Sequence, residues 1–245
     1  MKTTHLKKAL ALLIITATLN SCAQYGTNGI KGSGNIITEN RSTASYDGVT
    51  CTGSMDFKLI KGIEGQLTIQ GESNLIPYII TEVNNNVLKV KVKDGYSINP
   101  SKNHNVIVTI PFEDISAVSL TGSGDLTTED KITVDKLNVS LTGSGDISLA
   151  LTAITTESSI TGSGDLTLKG ESDNLHVSVT GSGDFHGYDL NANNTDVSVT
   201  GSGDADVVSN NTLKGRVSGS GDISYKGHPE KEDTKVMGSG SISSY

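Results

Sequence analysis

A short motif that recurs along the C-terminal half most constrains how this chain can fold. Copies of Gly-Ser-Gly-Asp, or close variants of it, place their first glycines at Gly122, Gly143, Gly162, Gly181, Gly201, Gly219 and Gly238. Successive copies are 18 to 21 residues apart. A period of this length indicates a repeat architecture, in which each unit buries its apolar side only against its neighbours.

The residues around each copy alternate between apolar and polar. In residues 139–149 the odd positions are Val, Leu, Gly, Gly, Ile and Leu, and the even positions are Ser, Thr, Ser, Asp and Ser. This alternation predicts half-buried strands. Rungs of ~20 residues stacked about 4.8 Å apart then predict an all-β fold, a right-handed parallel β-helix (a β-solenoid).

The glycines of the motif allow two interpretations. The alternation continues through Gly-Ser-Gly without a change of phase, so we expect both glycines to face inward at a bend that has no room for a Cβ. A tight turn with positive φ at glycine is the alternative.

The motif also divides the chain. Residues 118–245 carry the regular solenoid repeats, and residues 44–117 predict a less regular, β-rich N-terminal part. Two echoes of the motif precede the regular copies, at residues 32–36 and 52–57. The echo at residues 32–36 has Asn35 in place of Asp, and the last copy has Ser241 there. The column of aspartates is therefore expected to be uncharged at both ends.

Residues 1–21 are typical of a secretory signal peptide. Lys2, Lys7 and Lys8 precede an apolar run that is too short to span a bilayer. Residues 19–22, Leu-Asn-Ser-Cys, resemble a bacterial lipobox, so we predict a lipid on Cys22, membrane attachment through that lipid, and a polar tether over residues 22–43. A secreted protein without lipid is the alternative.

The chain has two cysteines. With a lipid on Cys22, Cys51 has no disulfide partner, and we expect it to be a small buried apolar residue. A reactive thiol at Cys51 is the alternative.

Charge excludes one class of partner. The chain has 27 acidic against 19 basic residues, for a formal net charge of −8. Because sequence-independent binding of nucleic acid needs clustered Lys and Arg, we do not expect a nucleic-acid partner.

The aspartates of the motif form the most notable candidate site. In register they stack as a column of Asp125, Asp146, Asp165, Asp184, Asp204 and Asp222. Carboxylates roughly 5 Å apart repel by nearly 1 kcal/mol even in water, so the column needs compensation. We expect hydrogen bonds from backbone N–H groups, with a ladder of bound ligands or cations as the alternative. The period differs from that of calcium-binding β-rolls, and we expect no metal and no other cofactor.

A second candidate is the outward pattern Thr-x-Ser-x-Asp, repeated on every rung. It predicts a regular array of hydroxyls and carboxylates that suits a repetitive glycan or a protein surface; a solvated wall without a ligand is the alternative. Bound sugars usually stack on aromatic rings, yet the chain has no Trp, and Phe185, Tyr188 and Tyr225 are the aromatic candidates along the repeats.

Catalysis is poorly supported. Some parallel β-helices are polysaccharide lyases, which combine clustered carboxylates with an Arg or Lys base. This chain has only Arg41 and Arg216, lacks long insertions between rungs, and shows no histidine spacing typical of metal ligands. We therefore expect no enzyme, with a lyase-like protein as a remote alternative.

Together these features resemble a known family. The Gly-Ser-Gly-Asp-Ile/Leu units follow a lipobox, Tyr-Asp-Gly-Val at residues 46–49 and Asn-Leu-Ile-Pro-Tyr-Ile-Ile-Thr-Glu-Val at residues 74–83. This arrangement is similar to the DUF2807 family, the auto-transporter adhesin head GIN domain proteins of Bacteroidetes, over about residues 44–245. The resemblance implies a β-helical protein of the cell envelope and supplies no catalytic motif.

The sequence thus predicts a non-enzymatic cell-envelope lipoprotein whose adhesin-like module presents Thr/Ser/Asp ladders to a glycan or protein. A periplasm-facing structural or scaffolding lipoprotein without a small-molecule ligand is the alternative. Residues 23–28 lack the acidic side chains that often follow the lipidated Cys of surface-exported lipoproteins in this group. We therefore expect an outer-membrane lipoprotein of a Gram-negative bacterium that faces the periplasm.

The ends of a solenoid set one more expectation. An unpaired end exposes strand edges that favour association. We therefore expect either a homo-oligomer or an N-terminal segment that folds over one end.

Overall fold

The fold is taken from a computed structural model, in which the structure describes residues 28–245. These residues form 20 strands and one 3-10 helical turn, Ile76–Tyr78, arranged in a sheet of 18 strands and a sheet of two. The strands before the regular repeats are β1 (Asn28–Lys31), β2 (Ile36–Ser42), β3 (Gly48–Gly53), β4 (Asp56–Lys61), β5 (Gln66–Glu72), β6 (Ile79–Asn84), β7 (Val87–Val92), β8 (Tyr96–Asn99) and β9 (Ile107–Phe112). The strands of the repeats are β10 (Ala117–Gly122), β11 (Leu126–Thr128), β12 (Ile132–Gly143), β13 (Ile147–Gly162), β14 (Leu166–Gly181), β15 (Phe185–Gly201), β16 (Ala205–Val208), β17 (Thr212–Gly219), β18 (Ile223–Lys226), β19 (Lys231–Gly238) and β20 (Ile242–Ser244).

Successive copies of the motif lie on neighbouring parallel strands. Gly143 is opposite Gly122 on one side and Gly162 on the other, and the same register continues through every later copy to Gly238. The result is a β-solenoid of about 7 turns with rungs of about 19 residues. The predicted stacking of parallel rungs is confirmed.

Like residues stack in the core. The inward positions of one strand column are 1% exposed or less, and they are Leu120, Leu141, Ile160, Val179, Val199 and Val217. A second column beyond the motif is equally buried and consists of Leu126, Ile147, Leu166, Phe185, Ala205 and Ile223. Removing these side chains from water stabilises each rung only when its neighbours are present, as expected for a solenoid.

Residues 48–61 form the first rung, although the chain leaves the stack after it. Gly53 is opposite Gly122 and Phe57 is opposite Leu126, both in parallel pairs. The echo of the motif at residues 52–57 is therefore a true structural copy. Cys51 joins the same core opposite Leu120, is 0% exposed and is not in a disulfide, as expected. Burial raises the pKa of its thiol well above the usual value.

The earlier echo, at residues 32–36, is not a rung, so the expectation of an uncharged first position is wrong. Strand β2 pairs antiparallel with β5, with Ile36 opposite Glu72. The position before Asp125 in the column is instead occupied by Asp56, because Phe57 is in register with Leu126. The column therefore begins with a charged residue.

The chain between β4 and β10 covers the N-terminal end of the stack. Strand β7 pairs with the outer edge of β3, and β9 pairs with the outer edge of β4. Strands β6 and β5 then add to β7 and β9 in antiparallel fashion, and β2 adds to β5. At the other end, all residues of β19 are exposed, and no strand within residues 28–245 pairs with its outer edge. An N-terminal segment thus covers one end of the stack, as expected if the protein does not protect that end by forming a homo-oligomer.

Two charged residues hold this cap. The guanidinium of Arg41 donates hydrogen bonds to the carbonyls of Ile76 and Ile79. The side chain of Glu72 is fully buried, and its carboxylate accepts hydrogen bonds from the backbone N–H groups of Gly34 and Ser101. Hydrogen bonds from Ser101, followed by that from Gly34, lower the pKa of Glu72. The cap therefore depends on an ionised carboxylate in its interior.

Candidate functional site

The corner formed by each Gly-Ser-Gly-Asp motif fixes the spacing of the exposed side chains. The carbonyl oxygen of Gly122 accepts hydrogen bonds from two N–H groups of the next rung, Ser144 at 2.9 Å and Gly145 at 3.0 Å. The same pair of bonds recurs at every later copy. Each corner is thereby fastened directly above the one before it.

The glycines are required for a reason that differs from the one predicted. The first glycine of each copy has positive φ, as at Gly143 with +125°, which supports the turn that was the alternative interpretation. A Cβ on Gly143 or on Gly145 would meet the backbone oxygen of the homologous glycine in the preceding rung. The obstacle is therefore the neighbouring rung along the axis and not the interior, although the second glycine is itself buried.

The aspartate column is held by hydrogen bonds between rungs. In each case Oδ1 accepts a bond from the backbone N–H of the next aspartate, at 2.7 to 3.0 Å, and the donors are Asp165, Asp184, Asp204 and Asp222. At the end of the column Asp222 accepts bonds from the N–H and the hydroxyl of Ser241. These contacts agree with the expected backbone compensation for stacked carboxylates.

The ionised form of Asp125 is disfavoured at its place in the column, between Asp56 and Asp146. Burial raises its pKa, and repulsion by the carboxylates of Asp56 and Asp146 raises it further. Asp56 is not among the six predicted members of the column, and its motif has Met55 in place of the second glycine. Only the register of β4 with β11 places it there.

One place on the column also brings a histidine close. Within residues 28–245, Asp165, Asp184 and His186 are the group of three potential ligands whose donor atoms lie within 4.8 Å of one another. The ring of His186 also lies 3.7 Å from a carboxylate oxygen of Asp206. One oxygen of Asp165 and one of Asp184 are already used by backbone N–H groups. The expectation of no metal therefore stays a prediction.

The Thr-x-Ser-x-Asp ladder lies on the surface, as its pattern predicts. On the rung of Asp146, the side chains of Thr142, Ser144 and Asp146 are all exposed. The three aromatic candidates all contact other parts of the protein. The hydroxyl of Tyr225 donates to the carboxylate of Glu232 at 3.1 Å. Phe185 is in the core, and Tyr188 packs against Tyr245 with ring centroids 5.3 Å apart.

The structure adds a groove that the sequence does not reveal. It has a volume of about 530 Å³ and runs along the solenoid axis beside the ladder, across strands from β7 to β15. One wall is a column of hydroxyl side chains, Thr50, Ser119, Ser140, Ser159 and Ser178. The other wall carries Asn138, Glu157, His176 and Asp196, and the floor includes Val118, Val139 and Val177. On the second wall the residue type changes from rung to rung, so no repeated residue type in the sequence identifies this wall.

Attachment to the membrane is predicted to depend on the N-terminal residues. Cys22 and the signal peptide fall outside the described residues. Within residues 28–245, no helix is long and apolar enough to cross a bilayer.

Solved structures share this fold. A putative adhesin from Bacteroides fragilis is 24% identical, with a TM-score of 0.82, over 89% of this chain and 100% of its own. A putative lipid binding protein from Parabacteroides distasonis is 25% identical, with a TM-score of 0.73 and the same coverage. A putative adhesin from Parabacteroides merdae is 22% identical, with a TM-score of 0.70. No curated protein matches the sequence.

The family assignment comes from the sequence itself. The family described as "Putative auto-transporter adhesin, head GIN domain" matches residues 45–229. The match includes the first rung, the chain that covers it and the repeats as far as β18. It therefore spans most of the chain, and the protein belongs to the DUF2807 family.

Proposed function

We propose that this protein is a non-enzymatic, adhesin-like binding module of the cell envelope, held at the membrane by a lipid on Cys22. The observation that carries the proposal is the register of exposed side chains. Thr, Ser and Asp recur at the same positions on successive rungs, about 4.8 Å apart. A ligand that itself repeats, such as a glycan, or an extended protein surface can meet several rungs in the same way.

The charged groups of the repeats favour binding over catalysis. Arg41 is committed to the cap, and Arg216 pairs with Asp233 at 2.5 Å. Within residues 28–245, no Lys or Arg forms an ion pair with the column from Asp125 to Asp222. The polysaccharide lyases considered above use an Arg or Lys base beside their carboxylates, so this arrangement supports a non-enzymatic function.

The proposed location is the outer membrane, with the module facing the periplasm. The support is the lipobox before Cys22 and the absence of acidic residues in residues 23–28. Metabolic labelling with a palmitate analogue should mark the wild-type protein and not Cys22→Ala. Protease treatment of intact cells should leave the protein uncut; its loss would place the module on the cell surface instead.

The binding function is tested with the full chain in nanodiscs. Immobilised envelope polysaccharides, mucin and matrix proteins would be presented in turn, and retention measured by surface plasmon resonance. We expect reversible retention on at least one surface, and none with empty nanodiscs. Folded protein that is retained on no surface would contradict the binding function.

A scaffolding role is the second candidate, because the C-terminal rung presents an open edge. On β19, Val236 is 39% exposed and Met237 is 57% exposed. Unpaired strand edges with apolar side chains favour association between copies. Light scattering should then show a mass that rises with concentration, and Met237→Lys should reduce that rise. A constant monomer mass would remove the support for this role.

A further inference from the structure

The axial groove lies beside the Thr/Ser/Asp ladder and differs from it in shape. Its lining comes from seven neighbouring strands, β7, β3, β10, β12, β13, β14 and β15. Six steps of about 4.8 Å make it roughly 29 Å long. A straight groove of this length suits an extended polymer better than a compact small molecule.

The hydroxyl wall has capacity for hydrogen bonds that the protein does not use. Ser159 donates to Ser140 at 3.2 Å. Within residues 28–245, the hydroxyls of Ser119 and Ser178 have no hydrogen-bond partner. Each hydroxyl can both donate and accept, which matches the hydroxyl groups of a sugar. The wall therefore offers a row of polar contacts at rung spacing.

Charge on the opposite wall is already compensated. The carboxylate of Glu157 lies 2.8 Å from the ammonium of Lys136, and that of Asp196 lies 2.7 Å from Lys214. The hydrogen bond from Lys136 lowers the pKa of Glu157, so this pair stays ionised. The groove lining contains no Lys or Arg. The ammonium groups beside the groove are paired with its acids, so neither a polyanion nor a cation meets an unpaired Lys, Glu or Asp charge there.

The floor and walls also argue against two other kinds of extended ligand. The strands of the floor already pair with their neighbours through β12, β13 and β14, so a peptide cannot add to them as a further strand. A fatty acyl chain would cover the hydroxyls of Ser119 and Ser178 without bonding to them, which is costly. An uncharged polyhydroxylated chain can instead exchange hydrogen bonds with the hydroxyl groups of the wall.

We propose that this groove binds a neutral glycan, lying along the solenoid axis between the serine wall and the wall of Asn138, Glu157, His176 and Asp196. The inference rests on the proposed binding function and assigns it a site and a ligand class. No aromatic platform lines the groove. Affinity must therefore come from several rungs together, and it rises with the length of the glycan.

The test uses the full chain in nanodiscs and isothermal titration calorimetry. The probes are cellohexaose, maltohexaose and chitohexaose, their disaccharides, and hexagalacturonate as an anionic comparison. We expect at least one neutral hexamer to bind more tightly than its disaccharide, with an affinity that is unchanged by added salt. Preferential binding of hexagalacturonate would overturn the assignment of a neutral ligand.

Substitutions at two serines near one rung test the groove and the ladder separately. Ser178 lies on the hydroxyl wall and Ser182 on the ladder, and both side chains are exposed. Ser178→Arg places a long cation in the groove and should weaken binding by about tenfold or more, whereas Ser182→Arg should leave it within about twofold. Circular dichroism would confirm that both variants fold.

These experiments separate a failure of the groove assignment from a failure of the proposed binding function. Loss of binding in Ser182→Arg alone would overturn the groove and leave the proposed binding function in place on the ladder. Binding of none of these probes by folded protein would overturn the glycan assignment. Retention of the same nanodiscs on mucin or matrix protein would then show that the binding function itself survives.

Discussion

The Oδ1 atom of Asp165 accepts a hydrogen bond of 3.0 Å from the backbone N–H of Asp184, one rung further along the solenoid. This bond connects two members of a column whose like charges repel. It also shows that the carboxylates act as acceptors between rungs. The column therefore stabilises the stack through hydrogen bonds despite its charge.

Replacing Asp165 separates these two effects. Asp165→Ala removes the acceptor and should lower the free energy of unfolding by about 1 kcal/mol. Asp165→Asn retains an oxygen at the same place and removes a charge between Asp146 and Asp184, so its stability should equal or exceed that of wild type. Urea denaturation at pH 7 measures both variants. Equal losses in both would show that charge, and not the acceptor, is what the column needs.

The contribution of Asp125 to the free energy of unfolding should depend on pH in the direction opposite to that of an ordinary stabilising carboxylate. Its pKa is raised in the folded state, first by burial and then by Asp56 and Asp146. Its contribution is therefore favourable at low pH and is lost as pH rises through the folded pKa. Asp125→Asn should stabilise the protein at pH 7, by less than about 1 kcal/mol because solvent screens this surface.

The size of that gain should shrink as the pH falls below 4. Thermal melting at pH 7 and pH 3.5 checks this, with Asp222→Asn as a comparison at the end of the column. A loss of stability in Asp125→Asn at pH 7 would contradict the proposed repulsion.

The corner glycines should tolerate no side chain. In Gly145→Ala the new methyl group would collide with the backbone oxygen of Gly124 in the preceding rung. Since backbone atoms cannot move aside as side chains do, we expect a loss of about 3 kcal/mol or more. Gly95→Ala is the control, because Gly95 has φ of +82° but nothing within 4 Å of the added Cβ. It should cost about 1 kcal/mol from backbone strain alone. Similar losses in the two variants, measured by urea denaturation, would show that contact between rungs is not the constraint.

Glu72 should make the N-terminal cap sensitive to acid. Its folded pKa is lowered from an ordinary value of 4.5 by hydrogen bonds from Ser101 and Gly34. The stabilisation is therefore complete above that ordinary value and is lost as pH falls through the folded pKa. Hydrogen exchange should show faster opening of β2 and β5 below pH 4, while the repeats remain protected.

Glu72→Gln tests this assignment. The variant should open the cap at neutral pH and lose most of the acid dependence there. Unchanged exchange in β2 and β5 would mean that the carboxylate does not hold the cap.

The sequence predicts the repeats well because their geometry is local and periodic. Alternation around Val139 and Leu141 identifies the inward face, and the spacing of Gly122 and Gly143 sets the length of a rung. Both patterns are sufficient to place the aspartates in one column. Stacking in register follows because a shift by one residue would turn the apolar side outward.

The cap and the groove could not be predicted in the same way. Pairing of Ile36 with Glu72 joins segments that share no motif, and it places an echo of the repeat outside the stack. The groove depends on the shape of the strand surface between the columns of Asn138 and Ser140. Neither of these is encoded by a spacing that can be read along the chain.

Between β10 and β19 the backbone of each rung pairs only with the rung before it and the rung after it, while β7 and β9 of the cap pair with the first rung. Duplication of one whole repeat would therefore lengthen the molecule without altering either terminus of the stack. The reach of the module from the membrane, and the number of subsites along its side, can change in evolution in whole-repeat steps.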